Sequence, residues 1–334
     1  MQASINLLLQ SSNPSIRWKV RAHVLGEDTA SPQLLALQEE IRNSPVVRQL
    51  LAGLNNPQYN QGRGIYAKWQ GAHWIMASLA DIGYPPGDEQ LLPIKKALLD
   101  FWLDEFFYTG FEADSQAKAY QKTGVPVMQG RHRRCASQQG NTLYMLLKLG
   151  LPDKRLDNLV ERLLHWQWPD GGWNCDKNPD AAHSSFMETL LPLRGLALYA
   201  QTTGNADAVK AAERAAEVFL KRHLYKSQSS GTIIHPEFTA LHYPLYWHYD
   251  ILAGLKVMAE AGFINDPRCK DALDLLQSKQ LPNGGWPAEK SYYKVSQQIA
   301  LNADYVDWGG TSRLRMNEWV TADALFVLKK AGRI

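Results

Sequence analysis

Five polar residues occupy similar places in apolar segments of the sequence and are the first candidates for chemistry. They are His73, Asn141, Glu188, Asp250 and Asp323, and each stands in a mostly apolar stretch that ends at a glycine. Buried polar groups need partners or water, so one shared, solvated cavity would explain all five. Apolar burial raises the pKa of a carboxyl group. We therefore predict that Glu188, Asp250, Asp323 and His73 act as general acids or bases.

Aromatic or hydroxyl residues lie four positions before these polar residues, at Trp69, Ser137, Ser184, Tyr246 and Trp319. Residues four positions apart share a helix face, so each pair would point to the same side. Aromatic faces attract cations, including carbocations. We predict that a substrate contacts Trp69, Asn141, Tyr246, Trp247 and Trp319 in an aromatic-lined cavity.

Basic residues stand just before two of the apolar segments. Arg131, Arg133 and Arg134 precede the second, and Arg313 and Arg315 precede the fifth. If the apolar segments are copies of one repeated unit, these arginines occupy equivalent places and would lie together at one mouth of the cavity. Because guanidinium groups bind phosphate and carboxylate through paired hydrogen bonds, we predict a basic rim for an anionic head group. The alternative is that these arginines pair with acidic residues in nearby loops.

Side chains that could bind a metal follow a glycine-rich turn at residues 167–173. They are Cys175, Asp176 and His183, and later in the chain His235, His242 and His248. Thiolate, imidazole and carboxylate groups suit zinc. In the alternative interpretation, Cys175 is a small buried side chain and Asp176 caps a helix or turn.

Helical periodicity dominates the segments that must position these residues. Apolar residues recur at three- and four-residue spacings in 91–106, 156–166, 206–224 and 266–279, which predicts amphipathic helices. Segments 68–82, 137–149, 183–200, 246–261 and 318–331 are apolar nearly all round and end at a glycine, which predicts buried helices with a left-handed C-terminal residue. Segments 15–25 and 32–54 are also helical in pattern. The two kinds of helix alternate, which predicts an outer layer around an inner one.

A seven-residue pattern occurs twice. Residues 167–173 read Gln-Trp-Pro-Asp-Gly-Gly-Trp, and residues 280–286 read Gln-Leu-Pro-Asn-Gly-Gly-Trp. The pattern resembles the QW motif of squalene–hopene and oxidosqualene cyclases and the Gly-Gly turns of protein prenyltransferase beta subunits. These proteins belong to the terpenoid cyclase / protein prenyltransferase-like α/α toroid superfamily. The resemblance covers about residues 60–334 and implies an all-α fold, a single α/α toroid over 1–334, with helices in 1–55 completing the ring.

The resemblance also implies a function. It suggests an isoprenoid cyclase or prenyl transferase that holds an apolar or amphipathic small molecule in a central cavity. Protein prenyltransferases bind zinc through an Asp-x-Cys near this turn and a later His, so the resemblance makes Cys175, Asp176 and His248 candidate ligands of a possible zinc ion. Here, however, Asp176 directly follows Cys175. The Asp-x-Asp-Asp acid motif of squalene–hopene cyclase has no counterpart in this sequence.

Two other functions remain open. The segment 282–287, Pro-Asn-Gly-Gly-Trp-Pro, is similar to a segment of polysaccharide lyases, and paired carboxylates beside aromatic platforms could cleave a sugar polymer. A non-catalytic binding scaffold with the same fold is the third possibility.

Composition excludes several classes of protein. The chain has 334 residues, 45% of them hydrophobic, and a formal net charge of +3. These values exclude a mainly disordered chain and give no broad field for nucleic acid. No apolar run reaches the roughly 18–20 residues of a membrane span. Residues 1–10 lack a basic start, and three cysteines make a disulfide framework improbable, so we expect a cytoplasmic protein.

Overall fold

The computed structural model describes residues 1–282, 284–298 and 300–334. Asn283, in the second copy of the seven-residue pattern, lies outside the described residues. The described chain is predominantly helical, as predicted. Its α-helices are α1 Gln2–Leu9, α2 Pro14–Lys19, α3 Pro32–Arg42, α4 Pro45–Leu54, α5 Ala72–Asp81, α6 Leu92–Trp102, α7 Gln116–Gln121, α8 Ser137–Lys148, α9 Leu156–Trp166, α10 Phe186–Thr203, α11 Ala206–Leu220, α12 Ile251–Ala261, α13 Lys270–Ser278 and α14 Glu318–Lys330. A π-helical turn, Val20–Val24, continues α2.

Among the described residues, five short strands lie between α6 and α8, on either side of α7, and between α13 and α14. β1 Gly110–Glu112 pairs in parallel with β2 Val125–Met128, which pairs antiparallel with β3 Arg131–His132. β4 Lys294–Val295 and β5 Ala303–Asp304 form a parallel pair. Strand signals are almost absent from these segments of the sequence, because strands of two to four residues are too short to show alternation.

The five glycines predicted to end buried helices all adopt the left-handed conformation. Gly83, Gly150, Gly204, Gly262 and Gly332 have φ of 82°, 62°, 73°, 88° and 64°. They follow α5, α8, α10, α12 and α14, whose residues are mostly buried. The predicted ends of these helices are therefore confirmed, because only glycine adopts this conformation without a Cβ penalty.

The predicted beginnings of three of these helices are wrong. α12 begins at Ile251, because the Asp250 carboxylate caps it by accepting the N–H of Ala253 at 2.7 Å. α10 begins at Phe186 and α5 at Ala72. Trp69, Ser184 and Tyr246 consequently precede their helices and do not share a helical turn with the polar residues that follow them.

The buried helices pack in sequence order. α5 packs against α8, α8 against α10, α10 against α12, and α12 against α14. α14 also packs against α2 and the π-helical turn. The amphipathic helices α9, α11 and α13 pack against α8, α10 and α12 respectively, and α6 packs against both α5 and α8. The largest cluster of buried apolar side chains includes residues from every one of these helices.

Helices α8 and α10 approach each other most closely at two glycines. A Cβ on Gly140 would collide with the backbone of Pro192, and a Cβ on Gly195 would collide with the carbonyl oxygen of Gly140. Backbone atoms cannot move aside as a flexible side chain can. The two helices are thus held at a fixed, short separation, which also fixes the residues at their N-terminal ends.

The two copies of the seven-residue pattern form equivalent turns. The indole N–H of Trp173 donates to the carbonyl of Leu163 at 3.0 Å, and that of Trp286 donates to Leu276 at 2.7 Å. The backbone N–H groups of these tryptophans donate to Thr189 Oγ1 and Thr321 Oγ1 at 3.2 and 2.9 Å. Each turn therefore joins an amphipathic helix to the next buried helix through the same set of bonds.

Within the part of the chain that the structure describes, no helix has both the length and the apolar character to cross a bilayer.

Candidate functional site

Six ionised side chains meet between the buried helices and form what we call the ion network. Its members are Lys19, Asp81, Arg194, Lys256, Glu260 and Asp323. Lys256 Nζ lies 2.6 Å from Asp81 and 2.8 Å from Asp323, and Lys19 lies 2.7 Å from Asp323. The three cations and three anions balance one another, as buried charges require.

Asp81 is the hub of the ion network. Lys19, Lys256 and Arg194 all approach its carboxylate, at 3.2, 2.6 and 3.3 Å, and the hydroxyl of Tyr243 donates to it at 2.9 Å. Burial by itself would raise the pKa of Asp81, but the three cations outweigh burial and hold the pKa well below its ordinary value. Asp323, a predicted acid, shares two of these cations and is therefore a structural ion-pair partner here.

The space beside the ion network is small and polar. A cavity of about 240 Å³ is lined by the network together with Trp18, His23, Tyr144 and Phe326. A second space of about 30 Å³ lies beside Asn141 and Tyr246, room for about one water molecule. Pockets for drug-sized ligands hold about 300–1,000 Å³. The lining is thus more highly charged than the aromatic lining that the sequence predicted.

The side chains of His73 and Asn141 are in contact, and both are buried. The Asn141 amide lies 3.1 Å from His73 Nε2, and the indole N–H of Trp102 donates to His73 Nδ1 at 3.2 Å. Burial lowers the pKa of His73 to about 3, so the ring is neutral near pH 7. Both ring nitrogens are occupied by protein partners, which explains how a histidine fits here without solvent.

Asp250 serves the helix that follows it. Besides capping α12, its carboxylate accepts the backbone N–H of His242 at 2.8 Å and lies 2.6 Å from His242 Nδ1. The side chain is fully buried. These contacts satisfy the carboxylate locally and anchor the loop before α12.

Glu188 lies instead beside two cysteines, and together they form what we call the thiol–carboxylate site. The Sγ atoms of Cys135 and Cys175 and a carboxylate oxygen of Glu188 all lie within 4.8 Å of one another. The Cys175 thiol donates to Glu188 Oε1 at 3.4 Å, while the backbone N–H of Ser137 donates to Glu188 Oε2 at 3.1 Å. All three residues are half-buried and thus remain partly accessible.

The environment favours the neutral forms of Glu188 and Cys175. Burial raises the pKa of Glu188, although hydrogen bonds from Ser137 and Cys175 and the charge of Arg134 act against it. A hydrogen bond with Cys135, and then burial and the charge of Glu188, raise the pKa of the Cys175 thiol.

Backbone pairing holds the two cysteine segments side by side. Arg133 and Asn174 form a parallel bridge, so the chain after each runs alongside the other, past Cys135 and Cys175. The Arg133 guanidinium donates to the carbonyls of Ala181 and Pro179 at 2.8 and 3.3 Å and closes the loop after Cys175. Glu188 comes from the first turn of α10. Two loops and one helix terminus therefore converge on the site.

The side chain of Arg134 is buried next to the thiol–carboxylate site without an ion-pair partner. It is 8% exposed, and its Nε and Nη2 atoms find no hydrogen-bond partner among the described residues. The guanidinium lies 4.7 Å from the ring centre of Phe107 and 5.6 Å from that of Trp166. Because guanidinium stays protonated at ordinary pH, Arg134 brings an uncompensated positive charge to this site.

An aromatic cluster surrounds the segments before α5 and α12. It comprises Trp69, Trp74 and Tyr246, with Tyr66, Trp247, Tyr292 and Tyr293 packed against them. Trp69 and Tyr246 stack with ring centres 3.9 Å apart, and His248 stacks on Tyr292 at 3.4 Å. The predicted contact residues Trp69, Tyr246 and Trp247 are therefore neighbours. Trp319 lies elsewhere, stacked on Tyr243 at 5.0 Å.

Two residues connect the aromatic cluster to the thiol–carboxylate site. The Tyr66 ring lies 5.0 Å from Trp74, and its hydroxyl is close enough to Glu188 and Cys135 for their charges to add to the burial that raises its pKa. Lys68 Nζ lies 4.6 Å from the ring centre of Trp247, and burial lowers its pKa while the charge of Cys135 opposes this. The cluster and the site therefore lie within electrostatic range of each other.

The predicted basic rim is not one structural unit. Arg133 and Arg134 are buried, with the contacts given above. Arg131 donates only to Gln129 O at 3.5 Å and lies 5.8 Å from the ring centre of Trp168. Arg313 and Arg315 are exposed and form no ion pair among the described residues.

The ligands suggested by resemblance are not grouped as expected. Cys175 lies with Cys135 and Glu188, whereas Asp176 is exposed and accepts the backbone N–H of Asn178 at 2.9 Å. His248 lies in the aromatic cluster, and its Nδ1 has no partner among the described residues. Asp176 thus shapes a turn, as the alternative interpretation proposed.

Sequence reasoning did not single out Cys135, Lys68 or Tyr66, and of the ion network it singled out only Asp323. Lys256 and Arg194 carried a usable signal, because each interrupts an otherwise apolar helix and a charge there must be paired. Cys135 and Cys175 are 40 residues apart in the sequence. Their proximity depends on the bridge between two loops, which no local pattern reveals.

No protein-family model matches the chain, and no curated protein matches it at a significant level.

Proposed function

We propose that the chain is an α/α toroid enzyme of the terpenoid cyclase / prenyl transferase type, acting on an amphipathic, isoprenoid-like substrate at the thiol–carboxylate site. The observation that carries this proposal is the proximity of the aromatic cluster to the thiol–carboxylate site: Tyr66 packs against Trp74 and feels the charges of Glu188 and Cys135. An apolar chain and a reactive group of one molecule could lie on these two parts at the same time.

The helix contacts support the toroid. The buried helices contact one another from α5 through α8, α10, α12 and α14 to α2. The ion pair between Lys19 of α2 and Asp81 of α5 completes the circuit at 3.2 Å. Amphipathic helices pack against α8, α10 and α12, as an outer ring around an inner ring would.

The aromatic cluster supports an apolar substrate. Trp247 is half-buried, and its indole N–H has no partner among the described residues. Half-buried aromatic rings suit a ligand that is apolar along one side and polar at one end. Lys68, which pairs with none of the described carboxylates, supplies a cation for an anionic head beside the same ring.

The small size of the spaces beside the ion network supports a substrate that binds at the aromatic cluster and the thiol–carboxylate site instead. The spaces beside the ion network, about 240 and 30 Å³, are filled or bordered by paired charges. An apolar chain placed there would have to displace charges that already satisfy one another, at a cost of several kcal/mol per ion. A substrate at the aromatic cluster and the thiol–carboxylate site would not have to displace these paired charges.

A thiol-protection experiment tests the proposal. In a Cys269→Ser background, Cys135 and Cys175 are the two remaining thiols, and a chromogenic disulfide reagent reports their labelling rates. We expect farnesyl diphosphate to slow labelling of both. Trp247→Ala should weaken this protection about tenfold, equivalent to ~1.4 kcal/mol, whereas Leu7→Ala, at an exposed side chain of α1, should leave it unchanged.

Two results would contradict the proposal. One is a labelling rate that farnesyl diphosphate leaves unaltered. The other is equal protection by inorganic diphosphate, which would show that the apolar chain contributes nothing.

A further inference from the structure

We infer that Cys135, Cys175 and Glu188 form a binding site for a thiophilic divalent metal of the zinc class. The three ligand atoms already lie within 4.8 Å of one another. Of the ligands suggested by resemblance, this set keeps only Cys175.

The spacing fits the metal. Zinc binds thiolate sulfur at about 2.3 Å and carboxylate oxygen at about 2.0–2.2 Å, so tetrahedral ligands stand about 3.6–3.8 Å apart. The Cys175 Sγ to Glu188 Oε1 distance of 3.4 Å is close to this value. The other two distances, from Cys135 Sγ to Cys175 Sγ and to Glu188, are at most 4.8 Å and would shorten by up to about 1 Å around one ion.

The surroundings hold the carboxylate in place. The N–H of Ser137 fixes Oε2 of Glu188 and leaves Oε1 directed toward the cysteines. Hydrogen bonds to the second atom of a ligand are typical of metal sites, because they orient the ligand. The backbone contact between α8 and α10 at Gly140 keeps Ser137 and Glu188 at this separation.

The charge of Arg134 supplies an independent argument. Two thiolates and one carboxylate around a divalent ion carry one net negative charge. Arg134 is a buried cation with two unpartnered nitrogens next to these ligands. The net negative charge of the metal-bound site would balance the positive charge of Arg134, which is costly to leave unpaired in a buried position. Metal binding would therefore give the three ligand atoms a common partner and give the Arg134 guanidinium a compensating negative charge.

The donor set also predicts the kind of site. Three protein ligands leave a fourth tetrahedral position open, which is the pattern of catalytic rather than structural zinc. The cysteines are half-buried, so a small molecule or water can reach that position.

Cobalt titration tests the site without any substrate. The reduced, chelator-treated full chain is titrated with Co²⁺, and thiolate-to-cobalt charge-transfer absorption is recorded. We expect saturation at one Co²⁺ per chain and displacement by one equivalent of Zn²⁺. Cys135→Ser, Cys175→Ser and Glu188→Gln should each weaken binding on the order of 10–100-fold or more, at least as much as loss of an outer-shell contact.

Cys269→Ser is the matched control, because that thiol is buried and lies 3.7 Å from Phe263 O, outside the three-residue cluster. It should bind cobalt like the wild-type chain. Native mass spectrometry of the unaltered protein, which is independent of any effect of substitution on folding, should show one added zinc. Absence of charge transfer in the wild-type chain, an equal loss in Cys269→Ser, or reversible oxidation of the Cys135–Cys175 pair without metal uptake by the reduced chain would overturn the inference.

Discussion

Replacing Asp81 with Asn should strongly destabilise the fold. The substitution leaves Lys19, Arg194 and Lys256 with two anions in place of three. Breaking a buried ion pair by removing one partner costs about 3–5 kcal/mol, because a charge is left uncompensated. Since three cations approach Asp81 within 3.3 Å and the carboxylate is only 14% exposed, we expect a loss in this range in the free energy of unfolding at pH 7.

Urea denaturation followed by circular dichroism measures this loss. Two further variants, a control and a charge-balanced double variant, show whether the unpaired charge is its cause. Asp100→Asn removes an exposed carboxylate that pairs with Lys96 and Arg155, and should cost at most about 1 kcal/mol. Asp81→Asn combined with Lys256→Met restores a balance of two cations and two anions. This double variant should recover part of the stability. Strictly additive losses, or a loss below about 1 kcal/mol for Asp81→Asn alone, would refute the reasoning.

The pH dependence has a definite sign. The pKa of Asp81 is held well below its ordinary value of 3.8 in the folded chain. The stabilisation is therefore complete above about pH 3.8 and declines below it, because the unfolded chain takes up the proton first. The difference between wild type and Asp81→Asn should accordingly be constant near neutrality and shrink only in strong acid.

Three further predictions concern packing, the repeated turn and a buried histidine. Gly140→Ala should cost about 1–3 kcal/mol or more, because its methyl group meets the backbone of Pro192; an unfolding midpoint equal to that of wild type would contradict this. Thr321→Val removes the acceptor of the Trp286 N–H and should cost about 1–3 kcal/mol in the same assay, with no loss as the contrary result. Burial lowers the pKa of His73 from 6.5 to about 3, so its contribution to stability should fall as pH decreases between these values, by at most ~1.4 kcal/mol per pH unit, in addition to the contributions of His23 and His248, whose pKa burial also lowers. His73→Gln should flatten this slope, and an unchanged slope would argue against a buried neutral ring.

Local features of the fold could be predicted from the sequence. The end of each buried helix follows from a glycine whose φ is positive, as at Gly204 and Gly262. Likewise, the two Gly-Gly-Trp turns form the same hydrogen bonds because the residues that make them recur. Helix beginnings were less predictable, since Asp250 reads equally well as a residue inside a helix or as its cap.

The candidate site could be predicted only in part. Glu188, Cys175 and Arg134 were singled out, but for separate roles. Their grouping with Cys135 depends on the bridge between Arg133 and Asn174 and on the contact between α8 and α10. Such long-range contacts leave no periodic trace in the sequence. The same holds for Asp81, whose partners come from α2, α10, α12 and the loop before α12.

Anomalous diffraction from crystals grown with zinc tests the central claim, that Cys135, Cys175 and Glu188 are parts of one site. The account predicts a peak at the zinc edge about 2.3 Å from both Sγ atoms and about 2.0–2.2 Å from a Glu188 carboxylate oxygen. A fully loaded crystal with its zinc peak elsewhere, or with the three side chains directed away from one another, would contradict it.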